Sequence, residues 1–236
     1  MQEDGEEDRN PNVLSVQKNF LEGKDEGSQV KILWKTIKER DLHLSYGKLY
    51  PPRGKEARRL FAALENEVDY LPTETTKIRI FGKWHPIPRK QAGYGDPGIS
   101  YTYSGISLSA KVWTPVLKEL VLKVKQATGH DYNFVLINRY ADGKDSMGEH
   151  KDDEKELDPH VPIASMRLGA QRDFYFKHQR TRNQKDKSIP KVSLQLEDGS
   201  LLLMNEPTNK FWYHALPVRK SCHNIRINLT FRKIKL

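Results

Sequence analysis

The chain has a single cysteine, Cys222, among 236 residues, so an internal disulfide is excluded. That fits a reducing, intracellular compartment and not a disulfide-stapled secreted scaffold. No apolar run approaches the roughly 18 residues needed to span a bilayer, so no membrane partner is expected. The opening MQEDGEED is acidic where a secretory signal would be basic and then apolar. Internal repeats and low-complexity tracts are absent too. What is present is 36% hydrophobic residues, enough for a packed core in one sizeable domain or two small ones.

A net charge of +9 hides a split. Residues 1–28 hold eight acidic and three basic side chains, a net −5, which leaves 37 basic against 23 acidic, or +14, for the rest. A body this basic suits a polyanionic partner, nucleic acid first, although a soluble basic protein without such a partner can have the same composition. The opening stretch is polar and lacks apolar periodicity. It reads as an acidic disordered tail at 1–28, ahead of a single catalytic domain at 29–236.

After a PPRG turn, Ala57, Leu60, Phe61, Leu64, Val68 and Leu71 recur at helical spacing and predict an amphipathic helix. A second is predicted by Thr114 as N-cap, Pro115 in the first turn, the stripe Val116, Leu117, Leu120, Val121 and Val124, and Gly129 as stop. Short runs between turn residues predict β-strands at 78–81, 99–103, 133–140, 163–168, 172–176, 192–196, 201–204, 211–215 and 224–231. Many short strands after two helices predict an α+β fold, a β-sandwich or jelly roll with helices packed on one face.

The segment GEHKDDE puts His150 and Asp152 two residues apart, on one side of an extended chain. An imidazole and a carboxylate so placed can share an ion, but H-x-D alone is common. His214, in FWYHALP, ends a predicted strand. Together the three make the 2-His-1-carboxylate set that leaves open positions on Fe(II) for oxygen chemistry. The same ligands suit zinc with water as nucleophile, and satisfied structural histidines are the plainer alternative.

In the last predicted strand Arg226, Asn228, Thr230 and Arg232 share one face, and Ile225, Ile227, Leu229 and Phe231 the other. A half-buried strand with its polar face in water has this pattern. So does a strand that offers guanidinium forks to a dicarboxylate. Asn138 and Tyr140 share a face of 133–140 and can add hydrogen bonds to the same ligand.

These residues resemble the AlkB family of Fe(II)- and 2-oxoglutarate-dependent nucleic-acid demethylases. The resemblance runs from about Ile78 to the end, through FGKWHPIPRKQAGYGD, YTYSG, NFVLINRY, GEHKDDE, PIASMRLGAQRDF, NEPTNKFWYHALPVRK and RINLTFRK. It is strongest toward the branch that repairs double-stranded DNA. It implies a double-stranded β-helix, with a jelly-roll core at about 130–236 and a DNA finger and nucleotide-recognition β-hairpin region at about 72–110. Fe(II) would be held by His150, Asp152 and His214, and 2-oxoglutarate by Asn138, Tyr140, Arg226, Asn228 and Arg232. With O2, the cosubstrate would become succinate and carbon dioxide while the N-methyl group of 1-methyladenine or 3-methylcytosine is hydroxylated and leaves as formaldehyde.

A methyl group on a Watson–Crick edge is out of reach inside a duplex, so the nucleotide must be flipped out. The resemblance makes Phe81 an apolar wedge beside Gly82 and Lys83, with Arg89 supporting the displaced strand. The plainer reading of Phe81 is a core residue at a strand end. Tyr101 and Tyr103 resemble aromatics that stack on the flipped base, Tyr103 standing where relatives have Phe. Asp153 and Glu154 would face a cationic methylated base. Phosphates would meet Lys177, Arg180 and Arg182 in a basic loop reaching Lys191, and Arg219 and Lys220 after His214. The same chemistry on RNA or single strands, and a non-catalytic nucleic-acid binding module, are the alternatives. The substrate implies a nuclear location, and a monomer is expected. Residues 1–28 hold no clear copy of the short peptide by which family members bind the replication sliding clamp.

Overall fold

The structure, a computed structural model, describes residues 32–74, 76–80, 82–103, 106–181 and 188–235. The tail expected at 1–28, Phe81 and Arg182 lie outside the described residues, as do the side chains of Lys83 and Tyr103.

The chain opens with a hairpin of β1 (Lys35–Glu39) and β2 (Leu42–Lys48), then α1 (Lys55–Glu67). Short strands follow: β3 (Lys77–Ile80), β4 (Lys83–Pro86), β5 (Lys90–Gly95), β6 (Ser100–Tyr103), β7 (Ile106–Ser109) and β8 (Lys111–Val112), before α2 (Pro115–Thr128). The second half begins with β9 (Phe134–Tyr140), β10 (Met147–His150), β11 (Ile163–Gly169), β12 (Arg172–His178), β13 (Val192–Leu196) and β14 (Ser200–Met204). It ends with a one-turn helix α3 (Thr208–Phe211), β15 (Trp212–Leu216) and β16 (Arg226–Arg232). Among the described residues, eight strands form one sheet in the order β1-β2-β14-β11-β16-β9-β5-β8, and four form a second, β10-β15-β12-β13.

Alternation along the strands gives the larger sheet two different faces. On the outer face Ile227, Leu229 and Phe231 of β16, Val135 and Ile137 of β9, and Met166 and Leu168 of β11 pack under both long helices. Those helices bury Ala57, Leu60 and Leu64 of α1 and Val116, Leu117, Leu120 and Val124 of α2. At about 1.5–3 kcal/mol for each fully buried large aliphatic side chain, this layer holds the helices down. The inner face meets the smaller sheet around Leu44, Leu202, Phe176 and Trp212. The architecture is the expected α+β jelly roll with helices on one face.

Local signals place α2 well. Thr114 Oγ1 accepts from the Leu117 N–H at 3.4 Å, Pro115 opens the first turn, and Gly129 closes the helix at φ +75°. By contrast α1 stops at Glu67, short of Leu71, whose N–H donates to the Gln91 carbonyl at 2.8 Å.

The core sheet extends beyond the expected 130–236. Strands β1, β2, β5 and β8 come from the first half of the chain, and none of the four was among the expected strands. β5 reads KQAGYG, with no period-two apolar pattern, yet it pairs with β9 so that Gln91 stands opposite Asn138, and Gln91 to Gly95 are buried. Residues 90–95 therefore belong to the core and not to the recognition region expected at 72–110. That region keeps two separate hairpins, β3–β4 and β6–β7. Among the described residues no helix is long and apolar enough to cross a membrane.

Candidate active site

β10 and β15 pair so that His150 stands directly opposite His214, with ring centroids 4.2 Å apart. Two residues on, Asp152 closes the group. Its Oδ1 lies 3.8 Å from His150 Nε2 and its Oδ2 3.8 Å from His214 Nε2. Among the described residues these three are the one cluster of metal-ligating side chains, all ligand atoms lying within 4.8 Å of one another. Phe174 and Phe176 wall His214 at 5.4 and 5.8 Å.

The protonation states suit a divalent cation. Burial, and then His150, bring the His214 imidazole down to about 3; burial lowers His150 as well. Burial alone would raise Asp152, but Arg232 at 3.1 Å and the two imidazoles hold it at about 2. At neutral pH the group is one carboxylate and two neutral imidazoles, the state in which these side chains bind metal. Gly148 holds His150 Nδ1 through its carbonyl oxygen at 2.9 Å, which leaves Nε2 toward Asp152. Asp152 Oδ1 and His214 Nδ1 are buried without a hydrogen-bond partner, as expected of side chains that fit an ion.

A small cavity adjoins this group, and the polar side of β16 lines it. Arg226, Thr230 and Arg232 are buried there and Asn228 is half-buried, so a polar face turned to water is ruled out. β16 sits mid-sheet between β9 and β11 with the smaller sheet across from it, which leaves that face no solvent.

The two arginines have different tasks. Six residues of strand separate them, about 20 Å between Cα atoms. Arg232 was expected against a cosubstrate but is ion-paired to Asp152. Arg226 is 2% exposed, its Nε lacks a partner, and Nη1 reaches only the Ala170 carbonyl at 3.5 Å. Burial brings it down to about 10, so it stays charged at neutral pH. A buried guanidinium without an acid is destabilising, and an anionic ligand would satisfy it.

Neighbouring groups complete this wall. Tyr140 stands opposite Arg226 and Asn138 opposite Asn228 across β9 and β16. Arg89, expected to support a displaced DNA strand, turns inward instead: its Nε donates to Asn138 Oδ1 at 2.9 Å, as does Gln91 Nε2 at 2.9 Å. With its oxygen so occupied, Asn138 offers the cavity its N–H donors.

Residues 42–232 match the family model of the 2OG-Fe(II) oxygenase superfamily. The chain belongs to that superfamily. Within it lies the AlkB family, to which the following relatives belong. The DNA oxidative demethylase ALKBH2 of Homo sapiens is 51% identical over 205 residues, 86% of this chain and 77% of that protein. ALKBH2 of Mus musculus is 50% identical over 203 residues, 85% of this chain and 84% of that protein. The alpha-ketoglutarate-dependent dioxygenase alkB homolog 3 of Rattus norvegicus is 36% identical over 153 residues, 64% of this chain and 51% of that protein. As an oxygenase of this superfamily the protein uses Fe(II), with 2-oxoglutarate and O2 as cosubstrates.

On the other side of Asp152 the oxygenase has a second cavity of about 270 Å³, bordered by Asp153, Glu154, Leu157, Met204, Asn205 and Lys210. Tyr101 cannot stack on a base as expected. Its ring is 0% exposed, packed on Phe134 at 5.1 Å and under the Arg232 guanidinium at 5.1 Å. Its hydroxyl is buried beside Glu154. Burial, and then Asp152, push the Glu154 carboxyl upward. Asp153 is exposed.

The residues expected at DNA come from separate segments of the chain. Gly82 turns the β3–β4 hairpin at φ +80°, a conformation only glycine adopts freely, and Lys83 opens β4. Arg180 and Lys220 are exposed. Lys177 lies 3.5 Å from Glu149, and Arg219 is paired with Asp173 at 2.8 Å. Two buried arginines escaped the sequence reading. Arg167 had a signal: period two in IASMRLG places it on the face of Ser165. Arg172 had none, because its partners are the main-chain carbonyls of Asp142, Asp145 and Pro217 in distant loops.

Proposed function

We propose that this oxygenase is a DNA oxidative demethylase that repairs N-alkylated bases such as 1-methyladenine and 3-methylcytosine in double-stranded DNA. One observation carries the reading: a 2-His-1-carboxylate group and an acid-free, buried Arg226 share one cavity. The first suits Fe(II) and the second a carboxylate, and a zinc hydrolase would leave Arg226 without use. Relatives named DNA oxidative demethylase, at 50 and 51% identity, support the nucleic-acid substrate.

His150, Asp152 and His214 would hold Fe(II), and Arg226, Asn138, Tyr140 and Asn228 the 2-oxoglutarate. With O2, the bound group supplies the oxidising power that an N-methyl C–H bond requires. The side chains do the rest. Arg232 keeps Asp152 ionised and oriented, and Phe174 and Phe176 keep water from His214. Glu154 would give the cavity for the flipped base a polar wall, with Asp153 at its rim; Tyr101 lies buried behind Glu154, and Tyr103 is on the same hairpin as Tyr101. The N-hydroxymethyl product loses formaldehyde unaided.

The β3–β4 hairpin stands apart from both sheets and shows Trp84 65% exposed to solvent. It would carry Phe81 into the stack, and a wedge is useful only where a stacked partner must be replaced. Lys83, Lys177, Arg180, Arg182 and Lys220 would meet phosphates, Arg219 less so because Asp173 neutralises it. The protein would act as a nuclear monomer.

Mass spectrometry of a 1-methyladenine duplex and its single strand, incubated with Fe(II), ascorbate and 2-oxoglutarate, tests this. Wild type should remove the methyl group from both, and Phe81→Ala should lose activity on the duplex alone. A duplex left methylated by an iron-loaded enzyme would refute the substrate, and undiminished duplex activity in Phe81→Ala would refute the wedge.

A further inference from the structure

Arg226 has a second guanidinium beside it. Arg167 of β11 stands opposite Asn228 of β16, and Gly169 opposite Arg226. Arg167 thus shares the inner face with Arg226 as its diagonal neighbour, about 7–8 Å away between Cα atoms. It is 1% exposed. Its Nη2 donates to Ser165 Oγ at 3.3 Å and its Nη1 to Ser200 Oγ at 3.5 Å, while Nε has no partner. Among the described residues no carboxylate is ion-paired with Arg167 or Arg226.

Two buried like charges with only neutral partners make the ligand-free fold less stable than apolar side chains of similar volume would. Neither can escape by losing its proton at neutral pH, although burial and Arg226 push Arg167 well below its ordinary value. Arg167 does not itself line the cavity. Ser165 and Asn228 do, and they stand between it and the ligand space. A hydrogen-bond relay runs along that wall. Ser165 Oγ accepts from Arg167 and donates to Asn228 Oδ1 at 3.2 Å, and Asn228 Nδ2 donates to Thr230 Oγ1 at 2.9 Å. Arg167 therefore fixes which way the Asn228 amide faces and adds positive potential beside Arg226.

We propose that Arg167 is a positioning and specificity residue for the cosubstrate: with Arg226 it makes the cavity select a 2-oxo acid with a second carboxylate over one with a neutral tail. The inference rests on Arg226 being the site of that carboxylate. A dicarboxylate brings the negative charge the two guanidiniums lack, whereas a methyl group in its place leaves both uncompensated.

The test is an anaerobic titration of the Fe(II) protein with 2-oxoglutarate and, separately, with 2-oxopentanoate, which has a methyl group where the distal carboxylate would be. Both chelate through the same 2-oxo acid head, so the visible charge-transfer band reads both. In Arg167→Met the preference for 2-oxoglutarate should fall roughly tenfold, through weaker 2-oxoglutarate binding. Arg167→Lys, which keeps the charge, should retain most of it. The ligand-free melting midpoint of Arg167→Met should be no lower than that of wild type, and Arg167→Gln replaces it if it does not fold. If Arg226→Met abolishes the preference but Arg167→Met leaves it intact, the inference is overturned and the Arg226 reading stands. If Arg226→Met also leaves it intact, the carboxylate site is misplaced and both fail. A lower midpoint with both ligands weakened alike would make Arg167 merely structural.

Discussion

The two faces of β16 are a single residue apart in sequence and opposite in physical character. Ile227, Leu229 and Phe231 face α1 and α2 in a layer of aliphatic and aromatic side chains without a buried charge. Arg226, Thr230 and Arg232 face the cavity, equally buried, and one of the two arginines has no acid in contact. Burial stabilises the first set and penalises the second. The outer face explains why the protein folds, and the inner face why it binds an ion and a carboxylate.

Substitutions on the two faces should separate these tasks. The largest effect belongs to the ligands: Asp152→Ala or His214→Ala should abolish the charge-transfer band and cut turnover at least about 1,000-fold, and Asp152→Ala, which leaves Arg232 buried without its acid, should also lower the ligand-free melting midpoint. Next comes the outer face. Leu120→Ala should destabilise by about 2–5 kcal/mol in urea unfolding while the affinity of the surviving native fraction for 2-oxoglutarate stays the same. A weakened affinity would show that the faces are not independent. Arg232→Met should weaken Fe(II) binding by about 10–100-fold, read in the same titration, because Asp152 loses the partner that orients it.

The smallest effect is a pH dependence to which the inner face contributes through His214 and Asp152. His214 titrates near 3 in the folded protein and near 6.5 when unfolded. Its stabilising contribution is therefore complete above pH 6.5 and lost as pH falls from there toward 3. Asp152 adds a similar loss, but only between about 3.8 and 2. Metal-free wild type should lose stability between pH 6.5 and 4.5, measured by urea unfolding, and His214→Gln should show a shallower slope. Equal slopes would mean that His214 contributes nothing in that window.

Much of this was legible where the cause is local. The cap, proline and terminal glycine placed α2, and alternation in RINLTFR separated the two faces of β16 before any fold was known. Alternation of Leu42, Leu44 and Tyr46 in LHLSYGK was available too, though β2 was not read from it. β5 could not be read, since KQAGYG becomes a strand only through pairing with β9. Whether the polar face of β16 met water or a cavity depended on the smaller sheet across from it. The inward turn of Arg89 to Asn138 and the pairing of Arg232 with Asp152 are likewise contacts between distant segments. Spacing could nominate His150, Asp152 and His214, but only the β10–β15 register brings the two imidazoles face to face.

The claim that the inner face is arranged for binding at the expense of stability is tested most directly by Arg226→Met, measured by ligand-free unfolding and by anaerobic titration with Fe(II) and 2-oxoglutarate. Ligand-free stability should equal or exceed that of wild type, while half-saturation should need about 30-fold more 2-oxoglutarate, about 2 kcal/mol of lost binding. A variant destabilised by about 2 kcal/mol or more, with 2-oxoglutarate binding unchanged, would contradict the account.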